Sequence, residues 1–326
     1  MSAATAADLE AIRRALLDPS STAHDIERAL DRYAELCESA TGIVPDPGFD
    51  AWSEDQMLDS GIAINPSAAA HCVRDRVRTV TFQRGLHAAL TDLLARGERD
   101  TVHLLYAGCG PWATLLLPIL GDFPATRLRI ELIDIHADAL TAVTRLQDVF
   151  GLGHYAIETH CADATRFQCA HAPDLVVTET MHKALEQEPQ FGVTANLAPQ
   201  LAPNGVLIPE RIDVDLCVTG PGGQTALAHL LTLSAASWEI PPPTDLRIPA
   251  LSDPEHHAAE LRTSIRVYGA HRLEPDDAHI TLPRPCPELS PLQIGRRTRI
   301  VYRPGAFPIF EFTDPTTEAG TSPASS

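Results

Sequence analysis

Lysine is nearly missing from this 326-residue chain: Lys183 is the one example, so arginine supplies 24 of the 25 basic residues. Against them stand 43 acids, a formal charge of −18 (25 − 43). Nonspecific grip on a phosphate backbone needs clustered Lys and Arg, so the acid excess argues against a nucleic-acid partner. It suits a small cationic substrate. No apolar run reaches the roughly 18 residues of a membrane-spanning helix. The strongest run, Leu115 to Leu120, is short and interrupted by Pro118. A basic segment leading into an apolar stretch is missing from Met1 to Leu17, so no secretory signal is expected. The seven cysteines are odd in number and contain no CxxC pair, which suggests neither a disulfide framework nor a zinc site. Reduced thiols in the cytoplasm are the expectation, with no membrane and no metal. A GxSxG nucleophile signature is also missing. Apolar residues at 44% and charged residues at 21% are the composition of a globular protein.

What is present divides into stretches of different texture. Apolar residues recur at helical spacing over 7–18 and 23–40, with Asp18-Pro-Ser-Ser between them, which predicts an N-terminal helical hairpin. Gly42 to Gly48 reads as a loop. Pro66-Ser67 opens a helix expected to run to about residue 82, followed by another to about residue 95. Strands then alternate with helices: Val102 to Ala107, a helical stretch after Gly110, strand Leu128 to Ile133, helix Ala137 to Phe150, strand Tyr155 to Thr159, strand Leu175 to Thr178, and a helical run from about 188. That alternation implies an α/β fold with a parallel sheet covered on both faces. After Pro203-Asn-Gly205 it stops. Val206 to Val218, Thr263 to Tyr268, Thr298 to Tyr302 and Ile309 to Phe312 read as strands of a second, β-rich unit, with one helix around 224–235. The expected organisation is an N-terminal helical lid over 1–65, a Rossmann-like unit over 66–205, a β-rich, barrel-like unit over 206–312 for substrate or dimer contacts, and a disordered tail over 313–326.

Ala107-Gly-Cys-Gly-Pro follows the first strand, and Gly108 and Gly110 allow a tight turn and close approach of a ligand. Asp134 ends the next strand, 24 residues after Gly110, where a carboxylate meets ribose hydroxyls in dinucleotide folds. Asp163 falls on the same edge, with Ala164 beside it. The three positions together predict a nucleoside site. A pyrophosphate fingerprint, GxGxxG, is not completed: position 113 is Ala, after bulky Trp112. The spacing resembles class I S-adenosylmethionine-dependent methyltransferases, although Tyr106 stands where their acid is usual and Trp112 where their third Gly is usual.

Three further segments, spanning about residues 70–215, resemble the protein arginine methyltransferase family. Val176-Val-Thr-Glu-Thr-Met-His-Lys-Ala-Leu-Glu-Gln-Glu188 resembles its double-glutamate loop, with Glu179 and Glu188 nine residues apart and Met181 matching the family Met. Asp75-Arg-Val-Arg-Thr-Val-Thr-Phe82 resembles the family helix whose Arg, matched by Arg78, contacts the cofactor carboxylate. Leu201-Ala-Pro-Asn-Gly-Val-Leu-Ile-Pro-Glu-Arg211 resembles its passage into a β-barrel. The resemblance implies that S-adenosyl-L-methionine is held by Arg78, Gly108, Gly110, Asp134, Asp163 and Ala164. It implies a substrate held by Glu179, Met181, His182 and Glu188, with the two glutamates catalytic, and it allows a homodimer. Two family elements are missing: residues 59–69 carry no aromatic clamp, and the C-terminal half has no Thr-His-Trp loop. Those elements frame a target arginine in a protein, so their loss favours a small guanidine such as free L-arginine.

The chemistry agrees. A guanidinium has a pKa above ~12 and a delocalised lone pair, so it is a poor nucleophile. Two carboxylates grip its planar N–H fork, orient one nitrogen, and accept a proton. Glu186 competes with Glu188 as the partner of Glu179. Cys109 reads as a small filler, Trp112 either as a pocket wall or as packing, and the adjacent His256-His257 as a surface loop. Three other readings share these residues: a protein arginine methyltransferase, an enzyme that consumes S-adenosylmethionine through its aminocarboxypropyl arm or by cyclisation, and a non-catalytic binder.

Overall fold

The computed structural model describes residues 3–45, 55–250 and 257–314. The expected N-terminal hairpin is α1 (Ala3–Leu17) and α2 (Ala23–Thr41). A reciprocal cap starts α2: the Asp25 N–H donates to Thr22 Oγ1 (3.2 Å) and the Thr22 N–H to Asp25 Oδ2 (3.0 Å). The expected loop after α2 is irregular over 42–45, and its remainder lies outside the described residues. A small antiparallel ribbon follows, β1 (Gln56–Leu58) and β2 (Gly61–Ala63), then α3 (Pro66–His71) and α4 (Arg76–Arg96). The helix expected to run unbroken from Pro66 breaks at Asp75. That carboxylate caps α4 by accepting from the Arg78 N–H (3.3 Å), so the break falls earlier than residue 82 and α4 continues through it.

The central unit contains β3 (Val102–Ala107), β4 (Leu128–Asp134), α5 (Ala137–Phe150), β5 (Ala156–Cys161), β6 (Leu175–Thr178), α6 (Gln190–Leu197) and β7 (Val206–Ile208). The strands form a parallel sheet in the order β5-β4-β3-β6-β7. Every residue of β3 and β6 is buried, the pattern of a sheet covered on both faces. Leu104, Tyr106 and Leu132 pack on one face with Phe82 and Leu86 of α4 and Val143 and Leu146 of α5. Leu105, Ile133 and Val176 pack on the other with Val193 and Leu197 of α6. The expected boundary at residue 205 lies three residues short of the end of this sheet, because β7 joins it beside β6.

The helix expected after Gly110 does not form. Residues 111–119 are turns, broken by Pro111 and Pro118, which lack backbone N–H donors, and by Ala113 at φ 40°. The N-terminal helices fill that side instead. The Tyr33 hydroxyl of α2 donates to the Trp112 carbonyl (2.6 Å), and Trp112 Nε1 donates to Thr41 Oγ1 (3.4 Å). Trp112 is therefore packing under helices and does not wall the cavity described below.

The β-rich unit comprises β8 (Arg211–Gly220), β9 (Gly223–Ser234), β10 (Thr244–Arg247), β11 (Ala258–Tyr268), β12 (His271–Leu273), β13 (Arg284–Pro285), β14 (Arg297–Arg303) and β15 (Ile309–Thr313). They make two antiparallel sheets, β12-β11-β8-β9 with β13 on β11, and β10-β14-β15. The helix expected around 224–235 is strand β9. Its Ala and Leu content suits a helix, but pairing along β8 from Arg211↔Ser234 to Gly220↔Gly223 overrides that local preference. His257 precedes β11 and is half-buried, while His256 and residues 315–326 of the expected tail lie outside the described residues. Among the described residues no helix is long and apolar enough to cross a membrane.

Candidate functional site

A cavity of about 750 Å³ opens at the carboxyl ends of β3, β4 and β6, the edge where open α/β sheets place ligands. All six residues expected to hold a cofactor line it: Arg78, Gly108, Gly110, Asp134, Asp163 and Ala164. So do the four expected to hold substrate, Glu179, Met181, His182 and Glu188. From the expected lid segment, the described residues that line it are Asp55, residues of β1–β2 and Ile64 just after them. Residues of α1 and α2 do not line it; they buttress the sheet from behind.

The glycine turn is built for close approach. Gly108 has φ 69°, and a Cβ there would stand 2.2 Å from Thr180 Cγ2, so no side chain fits between β3 and the glutamate loop. The Gly110 N–H donates to Asp134 Oδ2 (2.8 Å), and the His136 N–H donates to Oδ1 (2.9 Å). These bonds fix the Asp134 carboxylate at the cavity edge. Asp163 Oδ1 accepts from the N–H (2.8 Å) and hydroxyl (2.7 Å) of Thr165, which shapes the turn carrying Ala164.

The glutamate loop is held at both ends. The Thr180 N–H donates to Gln190 Oε1 (2.9 Å), and the Ile62 N–H of β2 donates to the Gln187 carbonyl (2.8 Å). Between them Ala184, Leu185 and Gln187 adopt left-handed backbone, with φ 55°, 59° and 70°. Such non-glycine strain persists only where neighbours impose it. Here the Tyr302 hydroxyl donates to the Leu185 carbonyl (2.7 Å), and Thr263 Oγ1 accepts from the Ala184 N–H (3.2 Å).

This path separates the three glutamates. Glu186 turns away from the cavity, pairs with Arg284 Nε (2.9 Å) and accepts from the Phe310 N–H (3.0 Å), so it joins the loop to the β-rich unit and does not compete with Glu188. Glu179 is ion-paired with the buried Arg78 guanidinium. Glu188 is half-buried at the wall. Desolvation pushes its carboxyl up to about 7, against the pull of Arg78 and with a further push from Asp55. Desolvation, then the neighbouring His279 and Lys183, holds His182 down to about 4. Burial pushes the Cys109 thiol well above its usual range, which fits a filler and not a nucleophile.

Several cavity residues carried no recognised role in the sequence. Asp55 reaches Asn65, accepting from its N–H (2.7 Å), and so ties the ribbon to α3. His279 arrives from the β-rich unit, its N–H donating to Asp75 Oδ2 (2.8 Å). The two partners are 204 residues apart, so no local spacing announces them. His136 lies two residues beyond Asp134, the end of β4, a placement its sequence position did offer. Glu131, Glu158 and His160 form a group with metal-ligand spacing away from this cavity, where Arg129 already meets Glu131 (2.8 Å).

A nucleoside-bearing cofactor fits these walls. Arg78 Nε and His136 Nε2 are buried there with no hydrogen-bond partner among the described residues, and a polar ligand would satisfy them. No protein-family model and no curated protein matches the chain. Solved structures do. The PRMT1 enzyme–prozyme heterotetrameric complex with AdoHcy from Trypanosoma brucei is similar over 74% of this chain and 89% of that one, with 12% identity and a TM-score of 0.53. Protein Arginine Methyltransferase 10 of Arabidopsis thaliana, in an open conformation, aligns over 71% of this chain and 86% of its own, with 11% identity and a TM-score of 0.49. The Rossmann-like core followed by a β-rich unit, expected from the sequence, is thus the fold of the trypanosome protein.

Proposed function

We propose that the protein is an S-adenosyl-L-methionine-dependent N-methyltransferase acting on a guanidino nitrogen of a small cationic molecule such as free L-arginine. The observation that carries this reading is the arrangement of Glu179 and Glu188 on one cavity with Arg78 and Asp134, where Glu179 already holds a guanidinium, that of Arg78. When bound, S-adenosylmethionine supplies an electrophilic methyl group on a sulfonium. Arg78 would hold its carboxylate, Gly108 and Gly110 would admit its amino-acid portion, Asp134 would bind ribose hydroxyls, and Asp163 and Ala164 would face adenine.

Glu179, an acid in contact with a cation, orients the acceptor's N–H fork and localises its positive charge. Glu188 faces the same ligand with a carboxyl poised near neutrality. A guanidinium nitrogen must lose a proton as its new bond to carbon forms, and Glu188 is the group placed to take it. The walls from Asp55 to Ile64 and at His279 and Ile280 reduce access of water. The cavity volume falls within the range of small-molecule sites, which supports a compact acceptor.

The test is incubation with methyl-labelled S-adenosylmethionine and a panel of free arginine, other guanidines, amines and Arg-rich peptides, with both nucleoside by-products quantified. The expected result is label in a small guanidine and release of S-adenosylhomocysteine. Release of methylthioadenosine would sink methyl transfer in favour of attack on the aminocarboxypropyl arm. Label in peptides but not in free arginine would overturn the small-acceptor reading.

A further inference from the structure

One stretch of the cavity wall presents imidazoles where the glutamate side presents carboxyl groups. His182, immediately after Met181, and His279, from the turn that bonds to Asp75, stand with ring centroids 5.9 Å apart, and both line the cavity. Arg74 lines the same cavity. Lys183, the chain's single lysine, follows His182, is half-buried, and makes no ion pair among the described residues. Its charge reaches both rings, adding to burial in holding each imidazole neutral. The acid at this wall, Asp75, has both oxygens engaged by the backbone N–H groups of Arg78 (3.3 Å) and His279 (2.8 Å). Lys183 does not line the cavity itself; it acts on the two imidazoles that do.

A neutral imidazole still carries one N–H donor. Two such donors in the field of an uncompensated ammonium are the chemistry that receives a carboxylate. We infer that this wall is a carboxylate subsite: the acceptor is a zwitterion, its cationic nitrogen between Glu179 and Glu188 and its carboxylate at His182 and His279, backed by Lys183. This rests on the guanidino-acceptor reading above and narrows it to a free amino acid, since peptide-bound arginine has no carboxylate to offer there.

The experiment is calorimetric titration of the full chain, loaded with S-adenosylhomocysteine, with L-arginine, L-argininamide and agmatine, the last two presenting the same guanidine without the carboxylate. The wild type should bind L-arginine at least ~10-fold more tightly than either analogue. Lys183→Met should abolish that preference and leave agmatine binding equal or tighter, and Lys183→Arg should retain it. Equal binding of all three by the wild type, binding of none, or a Lys183→Met variant that weakens agmatine as much as L-arginine overturns the subsite. Preferential binding of L-arginine without methyl transfer to it leaves the subsite standing and defeats the methyltransferase reading instead.

Discussion

Glu188 is the residue whose environment makes the sharpest demands. Its carboxyl, normally near 4.5, is raised to about 7 because it is desolvated beside Asp55, with Arg78 only partly offsetting the cost. If its carboxylate form grips the acceptor and takes its proton, kcat/KM should rise with pH through about 7 and level off above. A flat profile from pH 6 to 8, measured with a fixed small guanidine, would remove Glu188 from that role. Stability carries an independent signature. Between pH 4.5 and about 7 the unfolded chain has already ionised Glu188 while the folded chain still holds the proton, so the folded state loses stability as pH rises through this window. Glu188→Gln should therefore melt higher than the wild type at pH 8. The gap should narrow as pH falls and close below about 4.5, as scanning calorimetry across that range will show. Glu179→Gln, by contrast, leaves buried Arg78 without its anion, and should lower both acceptor turnover and thermal stability at neutral pH.

At the scale of elements, the glutamate loop is shaped by what leans on it. Gly61, at the turn of the β1–β2 ribbon, has φ 141°, and a Cβ there would lie 2.7 Å from the Glu188 carbonyl carbon. Gly61→Ala should push residues 187–189 aside. Displacement on the scale of an ångström costs catalysis roughly 100-fold, so kcat/KM should fall steeply in steady-state assays while S-adenosylhomocysteine affinity changes little. An unchanged kcat/KM would show that the ribbon does not position Glu188. The same contrast between local and distant determinants explains what could be read in advance. Strand β3, helix α5 and strand β6 are legible because period and punctuation agree over short stretches. That the ten expected residues would share one cavity was legible because they occupy compact motifs, Arg78 on α4 and the others at or after strand ends. Strand β9 was not, because its Ala- and Leu-rich sequence favours a helix until β8 is beside it. The helix expected after Gly110 failed because Pro111 and Pro118 lack N–H donors and Ala113 is left-handed, while Trp112 between them is tied to α2. His279 and Asp55 reach the cavity only through tertiary contacts, and Glu186 could be told from Glu188 only by the left-handed path between them.

At the scale of the whole molecule, three parts of the chain converge on one cavity: the ribbon and α3 with α4, the ends of the parallel sheet, and the turn of the β-rich unit bearing His279. The N-terminal helices serve this arrangement without touching it. Buried Tyr33 anchors them to the Trp112 carbonyl, and a buried hydrogen bond of this kind contributes about 1 kcal/mol. Tyr33→Phe should lower the melting temperature by about 2 °C, read by differential scanning fluorimetry, with ligand affinity preserved. A larger loss of affinity than of stability would mean that α2 reaches the site after all.

The turn-rich stretch after Gly110 has an electrical consequence as well. A helix beginning there would aim the partial positive charge of its N-terminus at the ligand, which is how nucleotide-binding sheets stabilise a diphosphate. With turns in that place, the region offers no aligned peptide dipoles, and the positive charge facing the ligand comes from side chains, Arg78 foremost. A point charge on a guanidinium suits one carboxylate, whereas a pyrophosphate would find half of its charge unanswered. Nicotinamide and flavin dinucleotides are thereby disfavoured by field as much as by shape.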